Sequence, residues 1–368
     1  MNMLDYLAWR GDLSFETDGL NEVDNLIFST LAYLNMDGLV SEDGTVSPTI
    51  PRLYRAYLEH GYDQSHLVYD PLPLLRAAAE SVRFRDVTVR WYVNEVDADK
   101  QIQFSAVTFL YGAAEAYIAI RGTDSSIVGW REDCNMSFLR ETSGQNAAAA
   151  YVNRIASLTG ARLTVGGHSK GGNFAIYASV FCEARVRDER IKRIYSNDGP
   201  GFKQEVTSDE RYLSILPKID KIIPDSSLIG ILLNGEERCR VIQSSAKGLM
   251  QHNPYSWCVL GTRFEEADER TQSSVFIDDT MGKWISSLSD EELSTLFNVI
   301  FDSLEASGVS TLQEIRNNKF TWYTAFLKAV LKVNNSTKNE VLNSLQKLLG
   351  TGMSVMKETV TSKRSDAE

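Results

Sequence analysis

The hydrophobic positions change period twice along the chain. Residues 1–82 read as mainly helical. Over residues 23–34, apolar side chains recur every three to four residues, the spacing that lines one helix face. A further helix is predicted over residues 73–82, with Pro73 at its start, where a missing N–H has no partner to lose. From residue 83 the period shortens. Residues 87–93 alternate as a strand does, and 103–110 and 116–120, joined by 111–115, read as neighbouring antiparallel strands. An alanine-rich helix is predicted over 145–158 and a helical run over 173–182. Short apolar strands are predicted over 162–166, 193–196, 219–223, 240–243 and 256–263. Strands alternating with helices predict an α/β fold with a mixed, mostly parallel sheet and flanking helices. After residue 280 the helical spacing returns over 284–303, 311–333 and 338–349, and 359–368 reads as a polar, frayed tail. Three regions are therefore expected. Residues 1–82 form an N-terminal helical extension packed on the core, 83–280 the core, and 281–368 a C-terminal helical region.

Composition narrows the function. The chain has 368 residues, and 43% hydrophobic with 24% charged residues is ordinary for a globular chain, so a sizeable core is expected. A net charge of −11 argues against nucleic acid as the main partner, because phosphate binding needs a basic surface. It also disfavours attraction to anionic membranes, but leaves a neutral lipid or small ester substrate open. No apolar run is long enough to span a bilayer, so no integral membrane segment is expected. The first ten residues carry Asp5 and lack an apolar stretch, which makes a cytoplasmic location the default expectation. Cys134, Cys182, Cys239 and Cys258 are widely spaced without a C-x-x-C pair. They read as reduced, buried thiols, and no metal or organic cofactor is expected.

The chemistry concentrates at Gly167-His168-Ser169-Lys170-Gly171. An apolar strand precedes this segment and a helix follows, the context in which G-x-S-x-G marks a nucleophile on a sharp turn. The turn exposes the Ser169 hydroxyl and aims the backbone N–H of Lys170 at the oxygen of a tetrahedral intermediate. A base is found by elimination among four histidines. His60 and His66 precede the sheet, and His168 sits inside the turn, where it cannot reach back to Ser169. His252 lies C-terminal to the nucleophile, as the order Ser, acid, His requires. Three aspartates between them are candidate acids. Asp225 is favoured because it stands just beyond a strand; Asp198 and Asp220 remain alternatives. A second oxyanion donor is expected from residues 119–125, which follow an earlier strand.

The pair Ile120-Arg121-Gly122-Thr123 and Gly166-Gly167-His168-Ser169-Lys170-Gly171-Gly172 resembles class 3, fungal-type lipases over roughly residues 85–262. The whole chain is similar to a bacterial family of lipase-like proteins with no assigned activity, through 6–15, 166–173, 224–230 and 252–257. The resemblance implies an α/β-hydrolase fold. It implies a Ser169, Asp225, His252 triad and oxyanion N–H groups from Thr123 and Lys170. It also implies cleavage of a carboxylic ester through an acyl-enzyme. Thioester or amide cleavage, acyl transfer, or a catalytically silent binding protein are the alternatives. Lys170 departs from the usual leucine; its ammonium would favour an anionic acyl group or reach solvent. Where the lipases carry a lid, this chain has residues 126–139. There Ile127, Val128 and Trp130 are candidates to line an acyl site, or else a core-packed helix, with Arg131 and Asp133 as ion-pair partners.

Overall fold

The computed structural model describes residues 1–61, 69–306, 311, 314 and 335–365. Four helices lead: α1 Met3–Arg10, α2 Glu22–Leu31, α3 Ile50–His60 and α4 Leu72–Glu80. α1 and α2 begin alike. Asn2 and Asn21 accept from the first-turn N–H groups, and Asp5 and Asp24 return a bond to the cap N–H. A seven-stranded sheet follows in chain order: β1 Thr88–Asp97, β2 Ile102–Tyr111, β3 Glu115–Ile120, β4 Arg162–His168, β5 Ile191–Asn197, β6 Ile219–Pro224 and β7 Cys239–Ile242. β1, β2 and β3 pair antiparallel; β3 through β7 pair parallel. The expected mixed, mostly parallel sheet is the one found.

Strand order dictates the layers. Parallel crossovers are right-handed, so a sheet growing in one direction puts its crossover helices on one face. α5 Ile127–Asn135, α6 Ser143–Leu158 and α7 Lys170–Phe181 connect β3 to β4 and β4 to β5. Residues of α6 and α7 pack on Ala116, Ile118, Ile120 and Val165. The opposite face presents Val107, Phe109, Tyr117 and Ala119, and would be bare without another layer. α1–α4 cover it. Arg83 fastens this layer: its Nε and Nη2 donate to the Asp24 carboxylate at 2.7 and 2.5 Å, both side chains fully buried.

Several expectations change. Residues 256–263 form no strand of the sheet, only a small hairpin of Val259–Leu260 and Arg263–Phe264 turning at Gly261 and Thr262. Residues 284–303 are two helices, α10 Gln272–Ser286 and α11 Asp290–Ala306. Ser289 restarts the chain as a helix, because its hydroxyl accepts from the Glu292 N–H while Glu292 accepts from the Ser289 N–H. α12, Asn335–Ser365, continues through most of the tail read as frayed. The helix expected over 311–333 lies outside the described residues, apart from Thr311 and Glu314. All four cysteines are free, but only Cys182 is buried; Cys239 is exposed. No described helix is long and apolar enough to cross a membrane.

Candidate active site

Ser169 is the single residue between β4 and α7. Its backbone has φ +60° and ψ −132°, a conformation non-glycine residues adopt only under constraint. The constraint is visible on both sides. The Ser169 N–H donates to the Asn197 carbonyl at the end of β5, at 2.9 Å. A Cβ on Gly171 would lie 2.1 Å from the Ile120 carbonyl oxygen, so only glycine lets the elbow approach β3.

His252 ends a short turn over Gly248–His252. Its Nδ1 donates to Asp198 Oδ2 at 2.6 Å, leaving Nε2 as the acceptor face of the ring. Ser169 and His252 line one cavity, without a direct hydrogen bond. Burial pushes the Asp198 carboxyl up, but the hydrogen bonds from His252 and Ser227 outweigh it and hold it below its ordinary value. Ser227 Oγ donates to Asp198 Oδ1 at 2.5 Å, and the Gly230 N–H donates to the same oxygen at 3.1 Å.

The expected partnership of Asp225 with His252 is not what the structure places there. Asp225 Oδ1 accepts from Gln251 Nε2 at 2.8 Å, and Gln251 Oε1 accepts from the Ser226 N–H at 2.7 Å. Asp225 thus holds the residue before His252 rather than the imidazole. The reason is the sheet. β5 is the neighbour of β4, whereas β6 lies one strand further, about 5 Å more from the elbow. Asp198 also has φ +52°, which turns the chain sharply at the end of β5. Asp220 is elsewhere, paired with Arg193.

His168 points away from Ser169, as expected, yet it is part of the site. Its Nε2 donates to the His252 carbonyl at 2.8 Å, and its Nδ1 lies 3.1 Å from the Tyr33 hydroxyl. Burial, with help from the nearby His252, lowers its pKa to about 3. It is therefore neutral across the working range. Unfolding restores a value near 6.5, so the unfolded chain binds the extra proton below that pH. The expected outcome is stability that is full above about pH 6.5 and declines as pH falls toward 3. A His168→Gln variant should show a shallower decline in denaturation midpoints over that window.

The loop after β3 packs directly on the elbow. A Cβ on Gly122 would lie 3.1 Å from Ser169 Cβ and 2.5 Å from the His168 carbonyl oxygen. The Thr123 N–H has no partner among the described residues, and the Lys170 N–H is at the first position of α7, where the helix provides none. The Thr123 hydroxyl donates to Asp133 Oδ2 at 2.7 Å.

The Lys170 side chain does not reach solvent. It is fully buried, and Nζ donates to Glu132 Oε2 at 2.9 Å and Gln103 Oε1 at 2.6 Å. Of the acyl-site candidates, Trp130 lines the cavity. Ile127 instead packs on Phe301 and Leu304 of α11, and half-buried Val128 lies outside the lining. Arg131 pairs with Asp302 and Glu305 of α11, not with Asp133. The cavity measures about 300 Å³, and Leu232, Leu233, Met281, Trp284 and Phe297 make much of its wall. Sequence reading missed the contribution of α10 and α11, because nothing local ties residues 281–297 to the elbow. His60 is not among the residues lining this cavity, and His66 lies outside the described residues.

Taken together, the sheet and the strand–serine–helix turn define an α/β-hydrolase-type fold. The chain belongs to the Mbeg1-like family, which matches residues 78–302. Among solved structures it is similar to Rhizomucor miehei lipase in a propeptide complex. The identity is 13% and the TM-score 0.37, over 66% of this chain and 81% of that one. It is also similar to M37 lipase, with 13% identity and a TM-score of 0.34 over 57% and 69% of the two chains. No curated protein matches the chain.

Proposed function

We propose that this protein is a serine hydrolase that cleaves a carboxylic ester through an acyl-enzyme, with Ser169 as nucleophile, His252 as base and Asp198 as the acid. The observation that carries the reading is the 2.6 Å contact of buried Asp198 with the Nδ1 of His252, which lines the same cavity as the constrained Ser169. His252 Nε2 takes the Ser169 proton as Oγ attacks the ester carbonyl carbon. The oxygen becomes an oxyanion, met by the N–H groups of Lys170 and Thr123. On collapse, the C–O bond to the leaving alcohol breaks and His252 returns the proton to it. Water, activated by the same imidazole, then releases the acid. The apolar cavity wall suits an acyl chain. No step calls for a metal or an organic cofactor.

A fluorophosphonate probe is expected to label the wild-type protein and not Ser169→Ala, read by intact mass. Labelling that persists in Ser169→Ala would overturn the assignment. Nitrophenyl esters of graded chain length then measure the acyl preference.

A further inference from the structure

A helix laid on an apolar sheet face ordinarily presents apolar side chains to it. α2 departs from this beside the elbow. Asn25 and Ser29 lie four residues apart on one helix face, and Tyr33 follows four further on, in the turn that ends the helix. All three are buried, so each polar group needs a partner. They find those partners in the residues that hold Ser169 and His252.

Asn25 and Asn197, the last residue of β5, form a reciprocal amide pair. Asn25 Nδ2 donates to Asn197 Oδ1 at 2.9 Å, and Asn197 Nδ2 donates to Asn25 Oδ1 at 3.0 Å. The same Asn197 amide donates to the Gly167 carbonyl at 3.1 Å, with Ser29 Oγ 3.2 Å away. Tyr117 donates to Asn25 Oδ1 at 2.6 Å. The Asn197 carbonyl in turn accepts the Ser169 N–H. Asn197 thus grips the elbow at both Gly167 and Ser169, and Asn25 fixes its amide.

Tyr33 reaches the base. His168 Nε2 donates to the His252 carbonyl, so Nδ1 is the acceptor, and the Tyr33 hydroxyl donates to it at 3.1 Å. The His168 and His252 ring centroids are 4.5 Å apart. A polar network whose members are all bonded is rigid, and a strained residue persists only where its surroundings over-determine it.

We propose that α2 belongs to the machinery of the hydrolase proposed above, on which this inference rests. Asn25, with Ser29, is a positioning residue for the nucleophile through Asn197. Tyr33 is a positioning residue for the base through His168.

The test is kcat for nitrophenyl octanoate per active site, with sites counted by fluorophosphonate labelling run to completion, so that unfolded protein does not enter. Asn25→Ala and Tyr33→Phe are each expected to lower kcat about ten- to a hundredfold, with KM within about twofold of wild type. Where Asn25→Ala does not fold, Ser29→Ala takes its place with the same expectation. In a His168→Phe background, adding Tyr33→Phe should cost less than about a further twofold, because the intermediary is already gone. Tyr6→Phe is the control, since the Tyr6 hydroxyl bonds Asp24 at 2.9 Å and Asn21 at 2.7 Å inside the same layer. It should lower the urea midpoint and leave kcat per site within about twofold of wild type. The inference is overturned by kcat retained within about twofold in either arm, by an equal loss in Tyr6→Phe, or by a Tyr33→Phe loss undiminished in the His168→Phe background. Each of these leaves the hydrolase reading standing. Failure of the wild type to hydrolyse any ester, together with failure of the probe to label Ser169, removes both.

Discussion

Asp198→Asn is expected to lower kcat for a nitrophenyl ester by about 10⁴-fold, with KM little changed. The asparagine keeps the shape but no longer holds the Nδ1–H tautomer or stabilises the imidazolium that forms as Ser169 attacks. Asp198 is fully buried and already bonded by Ser227 and Gly230, so its carboxylate is held rigidly against His252. Asp225→Asn provides the contrast. An asparagine oxygen can still accept from Gln251, so kcat should stay within the same order of magnitude. Steady-state kinetics on both variants, with far-UV circular dichroism as a check on folding, decides between them. A large loss in Asp225→Asn with activity retained in Asp198→Asn would return the acid role to Asp225.

Lys170→Met is expected to destabilise the fold by about 3–5 kcal/mol, measured by urea denaturation. The Lys170 and Glu132 side chains are both fully buried. Glu132 is also a hub: its Oε2 accepts from the Gln103 N–H at 3.1 Å and its Oε1 from the Gly144 N–H at 2.8 Å. Removing the ammonium leaves an uncompensated carboxylate in the interior, where desolvation is most unfavourable. Adding Glu132→Gln removes that charge while keeping an acceptor, so the double variant should recover much of the loss. A single Lys170→Met as stable as wild type would show that the pair contributes little. Lys170 thus has two separable parts: a backbone N–H facing the proposed oxyanion and a side chain that ties the elbow to α5.

What could be read in advance divides along physical lines. The helical and strand periods placed β1 through β7 within a few residues, because burial of one face imposes its period on the residues themselves. The helix break at Ser289 was also legible, as a Ser-x-x-Glu cap inside an apolar run, but the longer period masked it. The short Val259–Leu260 strand was overread, since a local apolar run does not reveal whether it has a sheet partner.

At the site, sequence alone singled out the Ser169 turn. The need for a small residue at Gly167 is partly local, since its Cβ would meet Gly171, whereas Gly171 is required by the approach of β3. His252 followed from scarcity, since so few histidines compete for the role. The acid was different. Asp198 and Asp225 each follow an apolar strand, and Asp220 lies within one, so their local patterns carry no distance to His252. Only the side-by-side placement of β4 and β5 put Asp198 against the imidazole, and only the folding of α5 over the elbow buried Lys170 on Glu132. The same holds for the cavity, whose wall comes from α5, the segment after β6, and α10 and α11. Conformation at one turn is written in adjacent residues; proximity between distant ones arises only when strand order and packing bring them together.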